Sequence, residues 1–180
     1  MKKWKKVGTK SIHQFGGFYR VEVDEVITPG GKEGEYSVVR MNPFCIIIPI
    51  SDNGTLYFVK QHRYTTDQFV IELPMGNTDG ENPLEAAKRE LEEETGLISD
   101  DWEAIGIMQV ANGYSELYAH VYIARGVKNK ENYRKDPLDE NLFEVLSLSF
   151  DEARAMIANG NIDECDSIAA LGKAFFSGKI

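Results

Sequence analysis

Residues 80–97 constrain the fold of this chain more than any other stretch, because they predict one short helix with carboxylates gathered on one face. The side chains of Glu90, Glu93 and Glu94 follow i, i+3, i+4 spacing, which places them on the same side of a helix. Three adjacent negative charges repel one another unless a cation neutralises them. Carboxylate oxygens suit magnesium and manganese, so the pattern predicts a divalent-metal site on this helix.

The same stretch carries signals that begin and end a helix. Asn82 is a favoured N-cap, Pro83 fits the first helical turn, and Gly96 is placed to end the helix. An apolar stripe that includes Leu84 and Leu91 predicts the face that packs against the core.

Together these residues resemble the signature of the Nudix hydrolases, G-x5-E-x7-R-E-U-x-E-E-x-G-U, in which U is a bulky aliphatic residue. The positions that match in identity and spacing are Glu81, Arg89, Glu90, Leu91, Glu93, Glu94, Gly96 and Leu97. One departure lies at the front of the motif, where Gly76 precedes Glu81 by five residues rather than six. Loops readily absorb such a change. The resemblance implies an α/β fold, the Nudix-type α/β/α sandwich with a mixed β-sheet and an N-terminal β extension.

Outside the motif, the hydrophobic pattern predicts strands on both sides of this helix and two more helices near the C-terminal end. The run Phe44–Ile50 is almost wholly apolar, as in a strand covered on both faces. Other strands are predicted near 18–27, 36–41, 55–61, 69–72, 102–110 and 116–124, and helices near 150–157 and 166–176. In the last helix, Ile168, Leu171 and Phe175 are expected to face inward. This order of elements independently favours sheets sandwiched by helices.

Two further segments resemble the ADP-ribose and nucleoside-diphosphate-sugar pyrophosphatase branch of the family. Residues 61–64 are similar to its Gln-x-Arg-Tyr pattern, and residues 72–76 are similar to its Glu-Leu-Pro-Ala-Gly pattern. The resemblance implies that residues 1–41 form a β segment that helps to build a homodimer and part of the nucleotide site. Residues 42–180 would then form the Nudix hydrolase domain.

The resemblance also implies roles for residues of the motif. Glu90 and Glu94 are implied as the principal metal ligands, and Glu93 is implied to share a metal or to orient water. The backbone carbonyl of Met75 would add a ligand from the loop. Arg89 is expected to form an ion pair with a carboxylate of the helix, and the alternative is an ordinary surface cation.

The catalytic base is expected outside the motif. In the same branch a glutamate on a later loop activates the attacking water, and residues 136–145 occupy the corresponding stretch. Glu140 is the first candidate, followed by Asp139 and Glu144. The alternative is an acidic loop that is merely solvated.

Four residues are candidates for contact with the substrate. Arg63 is a candidate for bidentate binding of the pyrophosphate through its guanidinium, and the alternative is a structural salt bridge. Glu72 is a candidate for a nucleobase edge or a sugar hydroxyl, and Glu116 for a metal or the substrate. Tyr19 is a candidate for stacking on a base, against the alternative of a core or dimer contact. Asn112 stands where ADP-ribose hydrolases often carry a proline, which favours a different sugar nucleotide.

Composition limits the partners of the chain. A net charge of −9 argues against a nucleic-acid surface, which is normally basic. No apolar run reaches membrane-spanning length, the first residues lack the apolar core of a signal peptide, and two cysteines are too few for a disulfide framework. We expect a cytoplasmic homodimer that binds a small nucleotide and neither nucleic acid nor membrane.

The prediction is a Mg²⁺-dependent Nudix pyrophosphatase, with Mn²⁺ able to substitute, that hydrolyses ADP-ribose or a nucleoside-diphosphate sugar such as GDP-mannose. Its products are a nucleoside monophosphate and a sugar phosphate. One alternative is a non-catalytic sensor of ADP-ribose-like ligands, which would be expected to have a damaged carboxylate cluster or an added DNA-binding domain. Another is a Nudix enzyme that acts on dinucleoside polyphosphates or nucleoside triphosphates.

Overall fold

A computed structural model describes residues 1–17, 19–133 and 144–180, and within these it contains strands and three helices. The strands are β1 (Lys5–Phe15), β2 (Tyr19–Ile27), β3 (Glu33–Met41), β4 (Phe44–Ile50), β5 (Leu56–Arg63), β6 (Gln68–Glu72), β7 (Met75–Asn77), β8 (Leu97–Ile98), β9 (Asp101–Val110), β10 (Ser115–Arg125), β11 (Lys128–Asn129) and β12 (Glu144–Leu148). The helices are α1 (Pro83–Thr95), α2 (Phe150–Ala158) and α3 (Cys165–Phe176). The chain divides into two compact units.

The first unit, residues 1–43 and 109–118, is an antiparallel β-meander. Strand β2 pairs with β1 on one side and with β3 on the other, and the start of β10 pairs in parallel with β3. The sequence pattern did not predict β1, because its side chains are almost all exposed and mostly polar. Only its hydrogen-bond pairing with β2 makes it a strand.

Two buried carboxylates, Glu22 and Asp24, are neutralised within this unit by cations from all three strands of the meander. Arg20 and Arg40 each lie 2.6 Å from a carboxylate oxygen of Glu22, and Lys6 lies 2.6 Å from Asp24. The hydrogen bonds from Arg40 and Arg20 lower the pKa of Glu22 to about 2. The lysine-rich N-terminal segment is therefore part of the packed unit through Lys6.

The second unit, residues 44–108 and 119–180, is built on a mixed sheet. Strand β4 pairs in parallel with the end of β10 and antiparallel with β5, and β12 pairs with the far edge of β5. Strands β6, β7 and β9 pair with β5, β4 and β10 respectively, and β8 pairs with β11. Helices α1 and α3 both contact β4.

Strand β4 is covered on both faces, as its apolar run predicts. Cys45 and Ile47 pack into one cluster with Ala87 and Leu91 of α1. Ile46 points to the opposite face by strand alternation and is also fully buried. This arrangement confirms the predicted layered α/β fold, while the domain boundary between residues 41 and 42 stays a prediction.

Helix ends follow the local signals, whereas one predicted inward side chain is wrong. Asn82 accepts a hydrogen bond from the Leu84 N–H and Gly96 ends α1 at φ 71°, which confirms both caps. Phe175 is 53% exposed, because the buried face of α3 runs through Ala170, Leu171 and Ala174 instead. Within the described ranges, none of the helices has the length and apolar character to cross a membrane.

Candidate metal and substrate site

Gly76 brings the backbone of β7 against the carboxylate face of α1. A Cβ atom at this position would overlap the carboxylate of Glu90, so a larger residue would have to displace that side chain or the loop. The Met75 N–H donates to Glu94 Oε2 at 3.1 Å, and the Cys45 thiol donates to the Gly76 carbonyl at 3.4 Å. Burial raises the pKa of Cys45 to about 12, which keeps this thiol protonated. Strand β4, the backbone around Gly76 and helix α1 therefore contact one another at this position.

The loop between Gly76 and the helix, one residue shorter than in the Nudix signature, makes a tight turn. Asp79 and Gly80 adopt left-handed conformations, with φ of 47° and 84°. A hydrogen bond of 2.7 Å from the Glu81 N–H to the Thr78 carbonyl closes the turn. Gly76 thus keeps its place beside the helix despite the shorter loop.

The three carboxylates of α1 differ in exposure. Glu94 is 7% exposed, Glu90 has a side chain 14% exposed, and the Glu93 side chain is 56% exposed. Burial, followed by the negative charge of Glu90, raises the pKa of Glu94 to about 8, and burial likewise raises the pKa of Glu90. Ionised carboxylates in this position are unfavourable without a cation. Hard oxygen donors beside this close-packed loop therefore fit a divalent metal ion.

Arg89 links the carboxylates to the loop. Its Nη1 donates to Glu90 at 2.7 Å and to Glu93 at 2.9 Å, and its Nε donates to Glu81 at 3.2 Å. Its Nη2 donates to the Asn77 carbonyl at 3.1 Å. These contacts confirm the predicted ion pair with the helix, while a part for Arg89 in catalysis stays a prediction.

Arg63 and Glu72 form an ion pair on neighbouring strands. Glu72 is 1% exposed, and burial raises the pKa of its carboxylate. Arg63 donates to both of its oxygens, at 2.5 and 3.2 Å, and the Gln61 amide donates to one of them. The Arg63 side chain is 41% exposed, and no hydrogen bond from its Nη1 is found among the described residues. Gln61, the first residue of the Gln-x-Arg-Tyr pattern, had no predicted role, although a residue two positions before Arg63 on a strand lies on the same face.

Tyr19 and Glu116 line one cavity of about 340 Å³ within the first unit. The Glu116 carboxylate is paired with the guanidinium of Arg40, and Tyr19 is 43% exposed and stacks on Phe15 at 5.4 Å between ring centroids. Arg40 had no predicted role in the site. Arg40 lies directly opposite Arg20 in the strand register, where like charges are destabilising unless carboxylates neutralise them, and this register is visible only in the structure.

The candidates for the catalytic base are only partly described. Glu140 and Asp139 lie outside the described residues. Glu144 opens β12, where its carboxylate lies 3.6 Å from Lys60 Nζ. On the other side of the undescribed segment, the Tyr133 hydroxyl donates to the Glu93 carbonyl at 2.8 Å. Tyr133, the last described residue before position 144, therefore lies beside the C-terminal turn of α1.

One comparison with known proteins identifies the family, and the others find related proteins and a shared fold. A family model described as the NUDIX domain matches residues 40–165. The chain is 30% identical over 169 residues to a methanol dehydrogenase activator from Bacillus methanolicus, covering 93% of this chain and 90% of that protein. It is 28% identical over 151 residues to an ADP-ribose pyrophosphatase from Bacillus subtilis (strain 168), covering 83% and 80% respectively. A crystal structure of an ADP compounds hydrolase shares the fold, with a TM-score of 0.82, 19% identity, and coverage of 100% of this chain and 98% of that one. Because the matched residues contain both the carboxylate helix and the glycine that packs against it, this chain belongs to the Nudix hydrolase family.

Proposed function

We propose that this Nudix hydrolase cleaves the diphosphate of ADP-ribose or of a nucleoside-diphosphate sugar such as GDP-mannose, with Mg²⁺ as cofactor and Mn²⁺ able to substitute. The products are a nucleoside monophosphate and a sugar phosphate. The observation that carries the proposal is the cluster of Glu90 and Glu94, whose burial disfavours their negative charges, on the helix of a Nudix domain. The similarity to an ADP-ribose pyrophosphatase over most of both chains supports the substrate class.

The carboxylates of Glu90, Glu93 and Glu94 and the carbonyl of Met75 would hold the metal. When bound, a divalent metal neutralises phosphate charge and lowers the pKa of bound water. Arg89 fixes the orientation of Glu90 and Glu93 through its two Nη1 contacts. The helix carboxylates are thereby held in place before the substrate arrives.

The remaining proposed roles concern the substrate. The exposed edge of Arg63 binds diphosphate oxygens, while Glu72 holds the other edge of its guanidinium. Glu140 accepts a proton as the oxygen of the attacking water bonds to phosphorus, and the bond from that phosphorus to the bridging oxygen breaks. Tyr19 and Glu116 contribute contacts to the base or the sugar. Each role follows the chemistry that the side chain can supply.

We also propose a homodimer that works in the cytoplasm. Strand β1 pairs only with β2 among the described strands and carries exposed apolar side chains, including Val7, Ile12 and Phe15. An open strand edge of this kind pairs readily with another chain. Light scattering of the purified protein measures its mass directly, and a monomeric mass at working concentration would rule the dimer out.

The experiment that tests the function is turnover of a nucleotide panel with Mg²⁺, with Mn²⁺ and with EDTA, with products identified by mass. The panel contains ADP-ribose, GDP-mannose, UDP-glucose, NADH, diadenosine polyphosphates and the common triphosphates. We expect metal-dependent cleavage of a sugar nucleotide to two monophosphates, and complete loss in EDTA that added metal reverses. Cleavage of triphosphates alone would overturn the substrate class. Tight binding of one ligand without turnover would favour the sensor.

The base is tested by replacing each candidate with its amide. Glu140→Gln is expected to lower kcat by at least about 10²-fold, because a general base contributes about that much or more. Asp139→Asn and Glu144→Gln serve as matched controls with the same loss of one charge, and both should retain most of the activity. Single-turnover rates across pH provide the measurement. A large loss in Glu144→Gln with full activity in Glu140→Gln would move the role to Glu144.

A further inference from the structure

A buried serine on α3 holds the backbone just ahead of the glycine loop. Ser167 is fully buried, and its Oγ accepts a hydrogen bond from the Leu73 N–H at 2.8 Å. The two residues are 94 positions apart in the sequence. Leu73 lies between Glu72, the partner of Arg63, and Met75, the partner of Glu94. The contact therefore joins α3 to the segment that connects both halves of the candidate site.

Glu164 sets the direction of this hydroxyl. Its carboxylate caps α3 by accepting from the Asp166 N–H at 2.8 Å and the Ser167 N–H at 2.7 Å. The same carboxylate accepts from Ser167 Oγ at 2.7 Å. A carboxylate can only accept, so the hydroxyl donates its single proton to Glu164 and leaves a lone pair for the Leu73 N–H. Ser167 thus has one orientation and one acceptor site.

The backbone of residues 73–75 has only two N–H groups, because Pro74 has none. The Leu73 N–H is bound by Ser167 on α3, and the Met75 N–H is bound by Glu94 on α1. Between them, the Pro74 carbonyl accepts from the Ile47 N–H of β4 at 2.9 Å. Without Ser167, a buried donor would be unsatisfied and this short segment would lose its hydrogen bond to α3.

We propose that Ser167, oriented by Glu164, is a positioning residue of the hydrolase. It fixes Leu73, and through Leu73 it sets where Glu72 and the Met75 carbonyl stand relative to Glu94. Its effect on turnover rests on the proposed function, whereas its effect on the metal-binding residues does not need a substrate. Hydrogen-bond partners of metal ligands commonly orient the groups that touch the metal, and Ser167 acts on the segment that carries one of them.

The test compares Ser167→Ala, Ser167→Thr and Ala174→Gly. Ser167→Ala removes the acceptor, and Ser167→Thr keeps it. Ala174→Gly destabilises the same helix at a buried position without touching the loop, so it controls for lost stability. Mn²⁺ affinity is measured by calorimetry without substrate, kcat and KM are measured with the substrate found in the panel, and Tm is recorded for each variant.

We expect Ser167→Ala to weaken Mn²⁺ binding and to lower kcat by about 10- to 100-fold each, with a smaller change in KM. Ser167→Thr should have the Mn²⁺ affinity and the kcat of wild type. Ala174→Gly should also keep both, although its Tm should be lowered about as much as that of Ser167→Ala. If Ser167→Thr does not fold, Glu164→Ala is tested in its place. Glu164→Ala leaves the serine but frees its hydroxyl, so this variant should show the same loss of Mn²⁺ affinity as Ser167→Ala.

Wild-type Mn²⁺ affinity in Ser167→Ala would overturn the proposal, as would an equal loss in Ala174→Gly or wild-type affinity in Glu164→Ala. A wild-type protein that binds no Mn²⁺ would overturn it too. A wild-type protein that binds Mn²⁺ but cleaves no sugar nucleotide would instead refute the proposed substrate, and the affinities would still decide the role of Ser167.

Discussion

Glu94→Gln is expected to lower kcat/KM by about 10³-fold or more, since even partners of metal ligands contribute about 10- to 100-fold. Glu94 is the most deeply buried carboxylate of the α1 cluster, and its Oε2 also accepts from the Met75 N–H. The amide keeps the size of the side chain and an oxygen acceptor for Met75. It removes the negative charge that a metal would need. The loss of activity should therefore come without loss of the fold.

The same substitution should stabilise the metal-free protein at high pH. The folded-state pKa of Glu94 is raised from 4.5 to about 8, so ionisation of this group opposes folding. The free-energy cost of ionising Glu94 in the folded state is absent below the unfolded pKa of 4.5. This cost grows as pH rises toward 8 and reaches its full size above pH 8. In EDTA, the Tm of Glu94→Gln should exceed that of wild type by roughly 5–10 °C at pH 9 and approach it near pH 5.

Thermal melts in EDTA across pH, together with turnover in Mg²⁺, measure both effects. Glu85→Gln is the matched control, because Glu85 lies on the same helix but is exposed and pairs with Lys88. It should change neither activity nor the pH dependence of Tm. Full activity in Glu94→Gln would refute the metal assignment, and a Tm difference independent of pH would refute the raised pKa.

Gly76→Ala is expected to lower activity by about 10²- to 10³-fold, because displacement of a reacting group by only 1 Å costs about 10²-fold. The added methyl would overlap the Glu90 carboxylate, which lies against the glycine. The φ of Gly76 is not among the positive values in the described chain, so alanine suits the backbone itself. The methyl must push Glu90 away from the loop or the loop away from α1. Either movement separates the Met75 carbonyl from the carboxylate cluster.

Steady-state kinetics, Mn²⁺ affinity and Tm of this variant provide the measurement. Gly172→Ala is the control, because a Cβ added at that helical position meets no atom within 4 Å. It should keep full activity and become slightly more stable, as alanine favours helix over glycine by about 1 kcal/mol. If Gly76→Ala binds Mn²⁺ and turns over like wild type, the loop does not take part in the site.

Much of the site could be predicted from local patterns. Helix α1 begins and ends at Asn82 and Gly96 because caps act on the nearest backbone groups. The spacing of its carboxylates follows from helical geometry alone. Strand β4 could be identified because an apolar run of its length needs cover on both faces. The exposed position of Phe175 was missed, because a helical pattern alone does not define how wide the buried face is.

Other features depend on residues far apart in the chain. Strand β1 exists through its pairing with β2, and Glu72 is buried because Gln61 and Arg63 of the neighbouring strand satisfy its oxygens. The local sequence pattern does not predict either contact. The same holds for Arg40, whose acidic partners come from another strand and from the start of β10.

The residue types and spacing of the carboxylate helix were thus readable from the chain, since a helix places i, i+3 and i+4 on one side whatever surrounds it. The chemical state of those residues was not. Burial and the neighbouring charge of Glu90 raise the pKa of Glu94, and a side chain at position 76 would overlap the Glu90 carboxylate. The acceptor for the Leu73 N–H comes from Ser167, 94 residues away. These properties arise only when folding excludes water and brings distant segments into contact.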